Sequence, residues 1–150
     1  MAVVVDEATT DRGRYAAVLA TIAVVGLAIA GYLSWVKLSG GTPVCGPLAG
    51  CETVQTSEYS TVLGIPVSVY GIAYFLAVLA TVVAWWRTGD RRALSATYLL
   101  GLLGVMAVAY LVYLQLVVIQ AVCVWCVAFD TTVVAGFLGA IVTYRRTATA

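Results

Sequence analysis

Histidine is absent from this chain, and charged residues fill only 10% of its 150 positions. The commonest metal ligand and the commonest general base are therefore both missing. Acidic and basic residues nearly cancel, at a net charge of +1. That balance leaves no basic surface for nucleic acid and no acidic tail. No internal repeat and no low-complexity stretch is visible. What remains is apolar, with 63% hydrophobic residues and a mean hydropathy of +1.02. A water-soluble domain of this length must show much of its sequence to water and cannot hide so much apolar surface. Lipid is the solvent this composition fits.

The long runs agree. Residues 15–36 carry no charge over 22 positions, enough to cross roughly 30 Å of hydrocarbon at about 1.5 Å per residue. Residues 66–86 form a second uncharged run, and residues 93–144 a third whose single charge is Asp130. The third run is too long for one span; it divides into spans at about 93–119 and 123–144, with a tight turn near 119–122. The first run is too long for the core of a cleaved signal peptide, and no small-x-small site follows a short apolar core. Buried helices of a soluble bundle would need polar faces that these runs lack. The expected fold is an all-α integral membrane bundle of four transmembrane helices, a single domain over 1–150.

Basic residues set the orientation. Arg12 and Arg14 precede the first span, Arg87, Arg91 and Arg92 separate the second from the third, and Arg145 and Arg146 follow the fourth. Lys37 alone begins the long loop 37–65. The excess of arginine on one side makes that side cytoplasmic, with both termini inside and the loop 37–65 and the turn near 119–122 on the periplasmic or extracellular side of an inner (plasma) membrane. Trp35, Trp85, Trp86 and Tyr144 sit at span ends, where anchoring at the headgroups is expected. Gly136 with Ala140, and Gly26, Gly101 and Gly104, offer close approaches between helices.

All four cysteines fall on the outer side. Cys45 and Cys51 lie in the first outer loop with Gly46, Pro47 and Gly50; Cys123 and Cys126 form Cys-Val-Trp-Cys at the outer start of the fourth helix. The topology came from arginines and the cysteine positions from elsewhere, so their agreement carries weight. A Cys-x-x-Cys at a helix N-terminus feels the helix dipole, which favours the thiolate that attacks disulfides. A glycine- and proline-containing loop can bend two thiols together and swing toward a partner. Two inert disulfides, a four-cysteine zinc site, or cysteines buried for packing are the competing readings. Redox exchange is favoured over them, since the compartment is oxidising and the two pairs are unequally spaced.

With both pairs placed, the chain resembles a bacterial member of the vitamin K epoxide reductase family, without a fused thioredoxin domain. The wider pair precedes Cys-x-x-Cys, whereas the other four-helix quinone-coupled disulfide oxidases show the reverse order. The resemblance implies a membrane oxidoreductase supporting disulfide formation. Cys45 and Cys51 would take electrons from a thioredoxin-fold (DsbA-like) protein acting in trans. Cys123 would receive them from the loop pair, and Cys126 would meet a membrane quinone (menaquinone or ubiquinone); no metal is implied. Ser57 matches a family serine near the redox centre, and the Gly64-Ile65-Pro66 stretch and Gly71 also look like the family pattern. Animal members carry an asparagine where Val67 stands, leaving Ser68 as an alternative donor to the quinone. They carry a tyrosine where Asp130 stands. Both departures favour a plain quinone over vitamin K epoxide.

Asp130 lies one helical turn beyond Cys126 on the same face. A carboxylate in a span is costly unless paired or wet. It either delivers a proton or hydrogen bond to the quinone or is bonded to a neighbouring hydroxyl or water. Residues 51–59 resemble the family's short cap helix, with Val54 and Tyr59 facing inward. Tyr74, Tyr110 and Tyr113 are expected to pack. The alternative to an enzyme is a four-span transporter subunit or assembly factor with structural disulfides.

Overall fold

The computed structural model describes residues 2–46 and 50–148, with side chains described over 10–46 and 50–147. Pro47, the proline expected to bend the cysteine loop, lies outside the described residues, as do Met1, Leu48, Ala49, Thr149 and Ala150.

Among the described residues four helices are long and apolar enough to cross a membrane. They are Thr10–Leu38 within α1 (Ala2–Leu38), α3 (Val67–Thr88), α4 (Arg91–Tyr113) with its continuation to Ile119, and Val124–Thr147 within α5 (Val124–Ala148). In hydrocarbon each backbone N–H and C=O must find its partner within the segment, which is why such runs become helices. Local residues set the ends. Pro66 sits just before α3, where its missing N–H costs nothing. Gly89 closes α3 at φ 69°, returning its N–H to the Trp85 carbonyl at 2.8 Å. Asp90 opens α4 by accepting from the Arg92 N–H at 2.9 Å.

Packing runs from α1 to α3, α3 to α4, α4 to α5 and α5 back to α1, closing an up-down-up-down ring. The glycines offer the expected close approaches between helices, and several of them act as sockets for aromatic rings; at Gly101 the backbone approaches too, an added Cβ lying 3.3 Å from Phe137 Cα. A Cβ at Gly26 would strike the Phe75 ring, and one at Gly71 would lie 2.9 Å from Phe129. Added to Gly101, it would lie 2.8 Å from Phe137. Gly136 meets only Ile22, at 3.7 Å, while Ala140 is buried. Phe75 and Phe129 then meet edge to face, 5.4 Å between centroids, in the middle of the bundle.

Trp85 corrects another expectation. It is buried at 2% exposure, because it shares the inward face with Val78 and Val82 at helical spacing. Trp35 and Trp86 do face outward.

Between α1 and α3 the chain crosses one end of the bundle. α2 (Gly50–Thr56) and a 3-10 turn (Glu58–Ser60) form a cap, shorter as a helix than the expected 51–59. A two-residue antiparallel hairpin, β1 (Thr61–Val62) with β2 (Ile65–Pro66), leads into α3. Leu63 and Gly64 turn it at φ 52° and 78°, the left-handed pair that such tight hairpins use.

Gly26→Val is expected to cost about 1–3 kcal/mol by overpacking against Phe75. The measurement is thermal unfolding of the protein in detergent. Gly31→Val, where an added Cβ meets nothing within 4 Å, should leave the midpoint in place.

Candidate functional site

The four cysteines gather at the capped end. Cys45 and Cys51 are joined in a disulfide, Cα to Cα 6.2 Å, while Cys123 and Cys126 are thiols. Cys51 and Cys123 are both fully buried, whereas Cys45 is only half-buried between exposed Val44 and Gly46. What brings the pairs together is the first residue of α2. Gly50 lies so close to the Val122 backbone that a Cβ there would sit 2.7 Å from its nitrogen. Cys51 follows the one residue and Cys123 the other. Among the described residues no three His, Cys, Asp or Glu side chains form a metal-binding group.

Cys123 occupies the N-cap of α5. Its carbonyl accepts from the Val127 N–H at 2.9 Å, and its sulfur accepts from the Cys126 N–H at 3.3 Å, as a capping serine oxygen would. A sulfur held there faces the positive end of the helix dipole. The turn before it is built by Gln115. The α4 helix loosens into a π-helical segment, Leu114–Ile119, and Gln120 ends it in the left-handed conformation at φ 55°. The Gln115 carbonyl accepts from the Gln120 and Ala121 N–H groups, and its side-chain Oε1 accepts from the Cys123 N–H at 3.1 Å.

The loop pair is latched as well. Trp125, between the two helix cysteines, donates its indole N–H to the Val44 carbonyl at 2.9 Å. The Tyr32 hydroxyl accepts from the Val44 N–H at 3.2 Å, and the Tyr32 ring meets the Trp125 ring at a tilt of 43°, 4.6 Å between centroids. On the far side Lys37 donates to the Gln55 carbonyl and, at 2.9 Å, to the Ser60 hydroxyl. That ties the C-terminal end of the cap to the end of α1.

Beneath the cap is a cavity of about 90 Å³, several times what one water needs. The sequence-predicted residues Ser57, Ser68, Cys126 and Asp130 all line it, and Val67 and Gln115 join them. Ser68 accepts from the Ser34 hydroxyl at 2.9 Å; Ser57 donates to the Val54 carbonyl at 2.7 Å. Val54 and Tyr59 reach the cavity from the cap, although Tyr59 keeps an exposed side. Asp130 is 7% exposed, and its Oδ2 has no partner among the described residues. Tyr74, Tyr110 and Tyr113 stay outside this cavity.

Sequence reasoning missed three positions. Gln115 is one polar residue in an apolar run, and only its spacing from Cys123 marked it. Lys37 was read for its charge alone. Trp125 enters the sequence reading only as part of the Cys-Val-Trp-Cys motif.

The sequence matches the model of the vitamin K epoxide reductase family over residues 17–143, a range that takes in all four cysteines. This four-helix chain, with its membrane thiol–disulfide pairs, belongs to the vitamin K epoxide reductase family.

Proposed function

We propose that the protein passes two electrons from a thioredoxin-fold thiol protein, through Cys45/Cys51 and then Cys123/Cys126, to a quinone in the cavity under the cap. The observation that supports this reading is the contact of Gly50 with Val122, the residues that immediately precede buried Cys51 and buried Cys123. The arginines favour placing the capped end on the non-cytoplasmic side of a bacterial plasma membrane.

The steps follow from exposure. A partner thiolate attacks the half-buried Cys45 sulfur, breaking the Cys45–Cys51 bond and releasing Cys51 as a thiol. The partner's second thiol then resolves the mixed disulfide, leaving the loop pair reduced and the partner oxidised. Cys51 next attacks Cys123 of an oxidised Cys123–Cys126 pair, and Cys126 is released toward the cavity. Cys45 attacks Cys51, restoring the loop disulfide and leaving both helix cysteines as thiols. A closed loop disulfide above two helix thiols is the arrangement seen here.

A bound quinone supplies the two-electron sink. The chain's own groups then have distinct tasks. Cys126 lines the cavity as the electron-donating sulfur, and Cys123 stays at the N-cap, where its thiolate is favoured. Asp130, unpartnered at Oδ2 and one turn from Cys126, is placed to give a proton to the reduced ring oxygen. A plain quinone fits better than vitamin K epoxide, since Val67 and Asp130 replace the animal asparagine and tyrosine.

Three results test the relay. With a thioredoxin-fold partner supplied in its disulfide form, the Cys45 thiolate of Cys51→Ser is expected to attack that disulfide and hold the partner on Cys45 as a mixed disulfide. Cys45→Ser should instead accumulate an internal Cys51–Cys123 disulfide; non-reducing electrophoresis with peptide mapping reads both, and intact quinone reduction in both variants would sink the relay. Gly50→Val should push the cap from Val122 and slow loop-to-helix exchange at least tenfold, leaving partner-to-loop exchange unchanged in stopped-flow. Asp130→Asn should alter the pH profile of quinone reduction without altering disulfide exchange. An unchanged profile rules Asp130 out as the proton donor.

A further inference from the structure

The Gln115 carboxamide has one end committed and the other free. Its oxygen must be the atom facing Cys123, because the backbone group opposite is an N–H donor. The amide orientation is therefore fixed without choice, and Nε2 is the end left over. Gln115 is only 5% exposed, yet it lines the cavity that Cys126 and Asp130 line. Among the described residues no group accepts a hydrogen bond from its Nε2. That donor is not fully enclosed by protein, so it is reached from the cavity, where a ligand oxygen can accept from it.

Its setting is also built at a cost. The chain runs as a π-helix over Leu114–Ile119, and single such turns concentrate at functional sites. Leu114 and Gln115 are both buried at its start. A leucine at 115 would pack the same apolar run without turning a donor toward the cavity. Ser68 accepts from Ser34 and keeps a hydroxyl hydrogen of its own, whereas two further polar groups on the cavity wall offer no free donor. Ser57 spends its hydroxyl hydrogen on the Val54 carbonyl, and Asp130 offers an oxygen.

We infer that Gln115 is the donor that holds a ring carbonyl of the electron acceptor, with Nε2 hydrogen-bonded to that oxygen while Oε1 holds the Cys123 N–H. One side chain thus registers the acceptor ring against the helix that carries both active sulfurs. The acceptor class is a ring with a carbonyl oxygen able to take an N–H bond. The inference rests on the proposed quinone reduction and adds the residue that orients the ring. Gln115 is a binding residue toward the acceptor and a positioning residue toward Cys123.

The test uses the full-length protein in detergent or nanodiscs, with a short-chain naphthoquinone labelled with ¹³C at one ring carbonyl at a time. Infrared difference spectra of the bound quinone should show one carbonyl band lowered relative to the other. Gln115→Leu should abolish that difference and raise KM for the quinone roughly five- to tenfold, with kcat within about twofold, as for loss of one ground-state hydrogen bond. Gln115→Met, closer in shape, serves if the leucine variant does not fold. A purely structural role at Cys123 would change kcat or the number of titratable helix thiols after dithiol reduction, and would leave the carbonyl bands unmoved. A wild-type protein that reduces no quinone overturns the function reading and this inference with it. A wild-type protein that reduces quinone, with variants keeping its KM and its band difference, overturns the inference alone.

Discussion

A single backbone contact, Gly50 on Val122, joins the two halves of the capped end. Cysteines on different elements exchange electrons only when their sulfurs meet, and disulfide geometry tolerates little error in the separation of the two backbones. A side chain on residue 50 would hold α2 away from the turn before α5. Glycine removes that obstacle. The other ties at this end, from Lys37 to the cap and from Trp125 and Tyr32 to Val44, position a loop whose closest approach is set by that contact.

The bundle below solves a different problem. Its helices have no hydrophobic drive to associate within lipid, so packing and shape must do the work. Here shape means aromatic rings seated on glycines: Phe75 on Gly26, Phe129 on Gly71 and Phe137 on Gly101. The Phe75–Phe129 pair lies under the cavity and gives it a rigid floor. Among the described residues, polar groups inside the bundle include those on the cavity wall and hydroxyls bonded to backbone carbonyls or to one another.

The four spans were legible because lipid imposes a coarse rule, long uncharged runs, that needs no knowledge of packing. The grouping of Ser57, Ser68, Cys126 and Asp130 on one cavity was expected from the family resemblance and from helical spacing. Other features were hidden for physical reasons. Gln115 falls seven residues after buried Val108, on the inward face of α4, but its bond to the Cys123 N–H depends on the π-helical segment and turn that follow, which periodicity does not reveal. Trp85 sits where an interfacial anchor is expected, but its face of α3 is the one shared with Val78 and Val82. The glycines advertised close approach without saying whether a backbone or a ring would fill the space. Lys37 has a stem long enough to reach several acceptors, so its partners at Gln55 and Ser60 depend on the cap being in place.

The hydrogen bond from Trp125 to Val44 has a bearing on how this protein can change. The two residues between active-site cysteines are the usual place to retune a thiol pair, since they face little else. In this chain one of them, Trp125, also fastens the stretch of loop that carries Cys45. A substitution there alters the helix pair and unties the loop pair together. Tuning and docking share one residue, and neither can drift without the other.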